Sequence, residues 1–223
     1  HQRFLAFVPA APTEAATLFD LLVGASSVYG GSWIEGSGAV HAENQALRWL
    51  ADLAGFPSDA GGVFVSGGTA GNLSALIAAR ARWRERADGA FDRTPALFIG
   101  ARNAHSSIAA AGRAMDADVM LADTDSDGRL DPVALRALVA ELSAEDRSRI
   151  AAVIATSGST NAGLIDPLAP VADLASTLGA WFHVDGAYGA AALAAPSLRA
   201  RFAGIERADS YIVDPHKWLF APF

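Results

Sequence analysis

Cysteine is absent from this 223-residue sequence, and lysine occurs only as Lys217, although lysine and arginine together number 17. Without cysteine the chain forms neither disulfides nor thiolate metal sites, a composition that favours a cytoplasmic protein. No apolar run is long and clean enough to span a bilayer. Positive charge is in deficit, since the formal net charge is −7. These absences argue against both a membrane partner and a nucleic-acid partner.

The remaining composition is that of a globular protein with a substantial core. Hydrophobic residues make up 52% of the chain and charged residues 18%, and the length suffices for one large domain or most of one. The first residue is His1, no signal peptide follows it, and the chain stops six residues after Lys217. We therefore expect both ends to be cut.

Short apolar runs predict the buried strands of a sheet. These six runs are 62–66, 96–100, 118–122, 150–156, 180–185 and 209–214. Amphipathic helical segments lie between several of them, at 42–55, 69–87, 131–142 and 168–179. Strands that alternate with helices predict an α/β fold, with a mostly parallel sheet and helices on both faces.

Residues with strong terminal preferences mark where the predicted helices begin and end. Thr69 and Asp131 are expected to be N-caps, with Pro132 in the first turn. Gly55 and Gly179 are expected to end the helices that precede them.

Polar motifs follow most of the predicted strands. In chain order they are SGGTAGN, ARNAHSS, TSGSTNAG, HVDGAYG and DPHKW. The carboxyl ends of parallel strands meet at one edge of a sheet, which is where such folds bind ligands. We therefore expect these motifs to converge on one site.

The glycine-rich motif SGGTAGN spans residues 66–72. Backbone N–H groups at a helix start, with the hydroxyls of Ser66 and Thr69, predict a phosphate cradle. A tight strand-to-helix turn explains the glycines equally well. The motif lacks the Gly-Lys-Ser/Thr of a Walker loop and the spacing of a dinucleotide-binding loop.

Lys217 lies among apolar and aromatic residues in the closing stretch SYIVDPHKWLFAPF. A lysine there is costly unless its amine is paired, neutralised or used covalently. The alternative is a side chain that lies along apolar surface and keeps its amine in water. His105 has an ordinary alternative as well, because it could cap the next helix.

The run DTDSDGRLD begins like a calcium-binding loop, with Asp123, Asp125, Asp127 and Gly128 at matching positions. The twelfth position of such a loop is a bidentate glutamate, and here it is Ala134. An Asp-Gly turn followed by a helix cap is therefore favoured.

His183 and Asp185 alternate along the fifth predicted strand, and we expect them to point to opposite faces, which argues against a shared metal. Asp185 ends the strand, and an ionised aspartate in an apolar strand needs a cationic partner.

One cofactor accounts for these pieces together. Pyridoxal phosphate requires a lysine for a Schiff base, an acid facing its pyridine nitrogen, a flat group over the ring and an anion cradle. Lys217, Asp185, His105 and the SGGT turn offer these groups in that order.

The run HVDGAYG…DSYIVDPHKW resembles the group II pyridoxal-dependent decarboxylases, which include aromatic-L-amino-acid and glutamate decarboxylases. The segments VSGGTAGNLSALIAAR, NAHSSIAAAGRAM and ATSGSTNAGLIDPL fit the same family in the same order, and the resemblance covers essentially the whole chain. It implies the fold type I transferase architecture and a homodimer with active sites at the interface. Residues 1–223 would form the large cofactor-binding domain, without the N-terminal segment and the small C-terminal domain.

The resemblance also implies roles at the cofactor ring. Lys217 would form the Schiff base, Asp185 would pair with the pyridine nitrogen, and His105 would stack on the ring. Ala187 would pack on the other face, and Thr156 would lie near the ring oxygen or the substrate carboxylate.

Further roles concern the phosphate and the substrate. Gly68, Thr69 and His216 would face the phosphate, where the carboxylate of Asp214 would repel it unless turned away. The resemblance assigns to the substrate pocket an N-terminal segment and two nearby aromatic residues, which are Phe7, Val8, Pro9, Tyr29 and Trp33.

The implied reaction is decarboxylation of an L-amino acid to its amine. An aromatic substrate is favoured, because the pocket segment is apolar and no arginine is positioned to hold a side-chain carboxylate. A glutamate or diaminobutyrate decarboxylase, another fold type I enzyme such as an aminotransferase or lyase, and a non-catalytic fragment remain as alternatives. Family members are about twice as long, and the absent part includes a catalytic loop, so this fragment alone is not expected to be active.

Overall fold

The computed structural model describes residues 10–86 and 94–222. Its centre is a sheet of five parallel strands in the order β2-β1-β3-β4-β5. The strands are β1 (Leu97–Ala101), β2 (Asp118–Ala122), β3 (Ile150–Thr156), β4 (Trp181–Asp185) and β5 (Ser210–Ile212). The helices are α1 (Glu14–Ser26), α2 (Trp33–Ala54), α3 (Gly68–Arg86), α4 (Ser106–Ala114), α5 (Pro132–Glu141), α6 (Ala144–Ser148) and α7 (Leu168–Leu178).

Helices cover both faces of the sheet. Leu97 and Ile99 belong to a buried cluster with residues of α5 and α7. Phe98, between them, belongs to a second cluster with residues of α3 and α4. Successive strand residues point to opposite faces, so an uninterrupted apolar strand supplies both layers at once. The predicted α/β class is confirmed.

Most of the predicted helix ends are confirmed. Gly55 and Gly179 adopt left-handed conformations, with φ of 75° and 61°, directly after α2 and α7. The Asp131 carboxylate accepts the N–H of Val133 and caps α5. The cap predicted at Thr69 is wrong, because the chain turns at Gly67, whose φ is 113°, and Thr69 already lies inside the first turn of α3. Within the described ranges no helix is both long and apolar enough to cross a membrane.

The predicted strand at 62–66 is wrong. The structure assigns it no strand, and Val63, Phe64 and Val65 are 66%, 44% and 41% exposed. An apolar run becomes a strand only when a neighbour pairs with its backbone. No strand among the described residues pairs with it, and it lines a groove of about 460 Å³ together with residues of β5.

The aspartate-rich segment forms the favoured turn. The Oδ1 atom of Asp125 accepts the backbone N–H groups of Asp127 at 2.9 Å and Arg129 at 2.8 Å. Gly128 has a φ of 91°, which suits glycine. The described part of the chain holds no group of three or more acidic or histidine side chains placed to bind a metal.

Candidate active site

A cavity of about 660 Å³ opens at the carboxyl edge of the sheet. It is formed by the residues that follow β1, β3, β4 and β5, together with the first turn of α3. All eight predicted catalytic and cofactor-binding residues line it: Gly68, Thr69, His105, Thr156, Asp185, Ala187, His216 and Lys217. The predicted convergence of the polar motifs on one edge is therefore confirmed, while the roles of the individual residues stay predictions.

The two predicted substrate-pocket residues that the structure describes are not part of this cavity. Tyr29 and Trp33 are 64% and 58% exposed and do not line it. Phe7, Val8 and Pro9 lie outside the described residues. Their assignment to a substrate pocket stays a prediction.

Lys217 is held by an ion pair inside the cavity. Its Nζ atom lies 2.7 Å from Oδ2 of Asp214, and the two side chains are largely buried. The backbone N–H of Lys217 also bonds to the carbonyl of Asp214 at 3.1 Å, so a tight turn brings the pair together. Pairing offsets the cost of placing an amine in apolar surroundings.

His105 is both a helix cap and a cavity residue. Its Nδ1 atom accepts the backbone N–H of Ser107 at 3.2 Å, which caps α4. The Oγ atom of Ser107 lies 2.8 Å from the same nitrogen. The two alternatives considered for this histidine are therefore compatible.

Asp185 is buried and accepts two N–H groups. The Nδ2 atom of Asn72 donates to Oδ2 at 2.9 Å, and the backbone N–H of Ala187 donates to Oδ1 at 3.1 Å. These donors stabilise the carboxylate before any cation is considered. The expectation that Asp185 requires a cationic partner is therefore too strong.

The expectation that His183 and Asp185 face opposite sides is wrong. The side chain of Asn72 contacts both residues, with its Oδ1 atom 2.8 Å from Nε2 of His183. Residues two apart in a strand lie on the same face, since the side-chain period is two. Burial lowers the pKa of His183 from 6.5 to about 4.

Asn72, Ser107 and His183 are cavity-supporting residues that the sequence analysis did not identify. Of these three residues, only Asn72 could have been found from the sequence, because it lies in the glycine-rich motif. It lies one helical turn after Gly68 on α3, so it shares a face with the residues of the predicted cradle.

The turn that the sequence predicts to be an anion cradle presents backbone to the cavity. A Cβ atom on Gly68 would lie 2.9 Å from Cβ of Ala187 and 3.0 Å from Oδ2 of Asp214. No larger residue fits here without displacing its neighbours. The first N–H groups of α3 have no acceptor within the helix and carry its positive dipole end, which suits an anion.

Two further features hold the loop that follows β3. The buried Asp166 accepts the N–H groups of Thr156 at 2.7 Å and Leu130 at 2.8 Å, and burial raises its pKa. Gly158 has a φ of 101°, and a Cβ on it would lie 2.5 Å from Cα of Gly189. The loops after β3 and β4 are therefore in direct backbone contact.

Comparison with known families gives one match over the whole chain. The model of the pyridoxal-dependent decarboxylase conserved domain matches residues 1–223. An aromatic-L-amino-acid decarboxylase of Bacillus atrophaeus is 36% identical over 226 residues, which cover 100% of this chain and 46% of the relative. An L-2,4-diaminobutyrate decarboxylase of Rhizobium meliloti (strain 1021) is 38% identical over 217 residues, covering 96% and 42% respectively.

A solved structure shows the same architecture. The glutamate decarboxylase domain of diaminobutyrate-pyruvate transaminase and L-2,4-diaminobutyrate decarboxylase from Vibrio parahaemolyticus superposes with a TM-score of 0.90 at 29% identity. The match covers 98% of this chain and 50% of that one. The fold is therefore the predicted fold type I architecture, and the chain spans about half the length of the relatives it matches.

Proposed function

The chain belongs to the pyridoxal-dependent decarboxylase family, and we propose that its full-length protein converts an L-amino acid to its amine and carbon dioxide. The observation that carries this proposal is the convergence of an amine, a carboxylate, an imidazole and a helix N-terminus on one cavity. Each matches one demand of pyridoxal phosphate.

The residues present fit that cofactor. The glycine cradle leaves backbone N–H groups for a phosphate, and Lys217 supplies the only lysine amine of the chain. When bound, pyridoxal phosphate supplies an aldehyde that captures amines and a ring that withdraws electrons from the α-carbon. We assign Gly68, Thr69 and His216 to its phosphate.

Lys217 and Asp185 take the two central roles. The amine of Lys217 would hold the cofactor covalently until substrate binds. Asp185 would face the pyridine nitrogen and keep it protonated, and its two N–H donors, Asn72 and Ala187, fix the carboxylate in place. Asp185 would thereby strengthen the electron withdrawal that the cofactor supplies and contribute to the rate.

His105, Ala187 and Thr156 orient the reacting groups. His105 would stack on one face of the ring and Ala187 would pack on the other. The N–H of Thr156 is held by Asp166 at 2.7 Å, which fixes the end of β3 beside the cavity. The Thr156 hydroxyl would bind the ring oxygen or the substrate carboxylate.

We propose an aromatic L-amino acid as the substrate. Among the described residues, the basic side chains that line the cavity are His105, His216 and Lys217, and no arginine is with them. A glutamate-like side chain would need such a cation. L-2,4-diaminobutyrate is the second candidate, because the relative that is 38% identical decarboxylates it by name.

We further propose a homodimer whose active sites lie at the interface. Helix α1 exposes large apolar side chains that a monomer would ordinarily cover. They are Leu18, Phe19, Leu21, Leu22 and Val23. Tyr29 and Trp33 are exposed just after this helix. We assign them to the substrate pocket of the second copy in such a dimer.

The test is amine detection after the full-length protein, loaded with pyridoxal phosphate, meets a panel of aromatic, acidic and diamino acids. We expect carbon dioxide and an aromatic amine. Release of an amine from an acidic or diamino acid instead would refute the aromatic substrate. Transfer of the amino group to a keto acid would indicate an aminotransferase, and no turnover with bound cofactor would refute the proposed activity.

Two variants test the central roles. Lys217→Ala should abolish turnover and the visible absorbance that a lysine Schiff base gives to the bound cofactor. Asp185→Asn should retain cofactor and lose at least about 10²-fold in rate. Arg136→Ala, which removes an exposed cation that does not line the cavity, is the matched control.

A further inference from the structure

A buried chain of hydrogen bonds links β4 and β5 to the cavity through Asn72. Asn72 is 1% exposed and His183 is fully buried. The Asn72 amide contacts Asp185, Ser107 and His183 at 2.8 to 2.9 Å. Every polar atom of this amide therefore has a partner within the protein.

The donors and acceptors of these hydrogen bonds can be assigned in only one consistent way. A carboxylate can only accept, so the atom of Asn72 that faces Asp185 is the Nδ2 donor. Its carbonyl Oδ1 then faces Nε2 of His183, and an oxygen acceptor requires that this nitrogen carry a proton. Burial keeps His183 neutral at pH 7, so its Nδ1 is an acceptor.

The remaining hydrogens follow from that assignment. The Oγ atom of Ser210 lies 2.9 Å from Nδ1 of His183 and must donate its hydrogen there. The same oxygen accepts the indole N–H of Trp181 at 2.8 Å, and an indole N–H can only donate. The Asp185 end and the Trp181 end of this series of hydrogen bonds therefore require the same protonation of His183.

The second branch leads to His105. The other N–H of Asn72 donates to Oγ of Ser107 at 2.8 Å, which leaves the serine hydrogen for Nδ1 of His105. That nitrogen also accepts the backbone N–H of Ser107. The proton of a neutral His105 is therefore held on Nε2.

We propose that Asn72 is a positioning residue that sets the orientation of the Asp185 carboxylate and, by directing the Ser107 hydroxyl to Nδ1 of His105, reinforces the tautomer that the backbone N–H of Ser107 already requires, with His183 fixing the direction of the amide. The consequence for catalysis rests on the proposed function. Through this network, Asn72 connects Asp185, which is assigned to the ring nitrogen, with His105, which is assigned to the ring face. The substitution Asn72→Asp keeps the oxygen that accepts from His183. It replaces the N–H donor to Asp185 with a carboxylate oxygen, which repels the Asp185 carboxylate.

The first test uses the cofactor-free full-length protein labelled with ¹⁵N-histidine. Long-range ¹H–¹⁵N spectra, assigned with His183→Gln and His105→Gln, report which ring nitrogen carries the proton. We expect Nε2–H for both residues at pH 7, and a downfield shift of the Nδ1 resonance of His105 in Asn72→Ala, because the freed Ser107 hydroxyl donates less to that nitrogen. A proton on Nδ1 of His183, or an unchanged Nδ1 resonance of His105 in the variant, would overturn the proposal.

The second test uses the protein loaded with pyridoxal phosphate. Asn72→Ala and Asn72→Asp should lower kcat by about 10²-fold with little change in KM, and Asn72→Asp should shift the pH profile of the cofactor absorbance. Leu76→Ala is the control, because it removes buried volume one turn along α3 without touching these hydrogen bonds. An equal loss of kcat in Leu76→Ala, or a pH profile that stays unchanged in Asn72→Asp, would show a merely structural role.

The two tests separate this proposal from the proposed function. If the protein releases no amine but the tautomers are as expected, decarboxylation is refuted and the positioning role stands. If amine is released and the tautomers are reversed, the positioning role alone is refuted.

Discussion

Acid should destabilise this fold through His183. Burial lowers the pKa of this residue from 6.5 to about 4. Between those values the unfolded chain binds a proton that the folded chain does not, so the stability is fully present above pH 6.5 and is lost as the pH falls towards 4. The two pKa values differ by about 2.5, which at about 1.4 kcal/mol per pKa unit gives a loss of between about 3 and 4 kcal/mol in the free energy of unfolding once the titration is complete, and of about 3 kcal/mol by pH 4.0.

A second buried group acts in the opposite sense and must be separated from His183. Burial raises the pKa of Asp166, so the folded chain binds that proton first and gains stability as the pH falls. The variant His183→Gln removes only the imidazole titration and retains an N–H that can reach Oδ1 of Asn72. Asp166 is the same in both proteins and cancels in the comparison.

The assay is urea unfolding of the cofactor-free protein at pH 7.5 and pH 4.0, followed by tryptophan fluorescence. The parent should lose about 3 kcal/mol more than His183→Gln over this interval. Equal losses in the two proteins would refute the reasoning, because they would mean that His183 is protonated in the folded state.

Three other outcomes follow from the cavity and the surface. Asp214→Asn removes a carboxylate beside the cradle and should lower the Kd for pyridoxal phosphate by about tenfold, equivalent to about 1.4 kcal/mol; an unchanged or higher Kd in absorbance titration would contradict it. Gly158→Ala should cost about 2–4 kcal/mol in urea unfolding, whereas Gly163→Ala, at a φ of 64° with open space around it, should cost less. Sedimentation should show a dimer that Leu22→Glu weakens, and a monomeric parent would refute the interface on α1.

The sequence predicts the fold well wherever an apolar run has at least one strand to pair with. The runs 118–122 and 150–156 match β2 and β3 residue for residue. The run 62–66 is also apolar and is not a strand, because it lacks a backbone partner among the described residues. An apolar run is only a candidate strand, since a strand also requires a ladder that a local sequence does not encode.

The candidate site divides in the same way. Motifs at strand ends are local, and they predicted the residues that line the cavity, including Lys217. The bonds of Asn72 join residues 35 to 113 positions apart, and no local pattern predicts such partners. His183 was misplaced for a simpler reason, since two residues along a strand is one full period.

Because β5 is the last described strand along the chain, the parts of the site form in sequence during synthesis. Among the described strands β5 pairs only with β4, in a register that sets Ser210 beside His183. During synthesis from the N-terminus, the glycine-rich turn, His105 and Asp185 are therefore made before Lys217. We expect a nascent chain to hold the phosphate reversibly first, and to capture the cofactor covalently only once β5 has docked and brought Lys217 into the cavity.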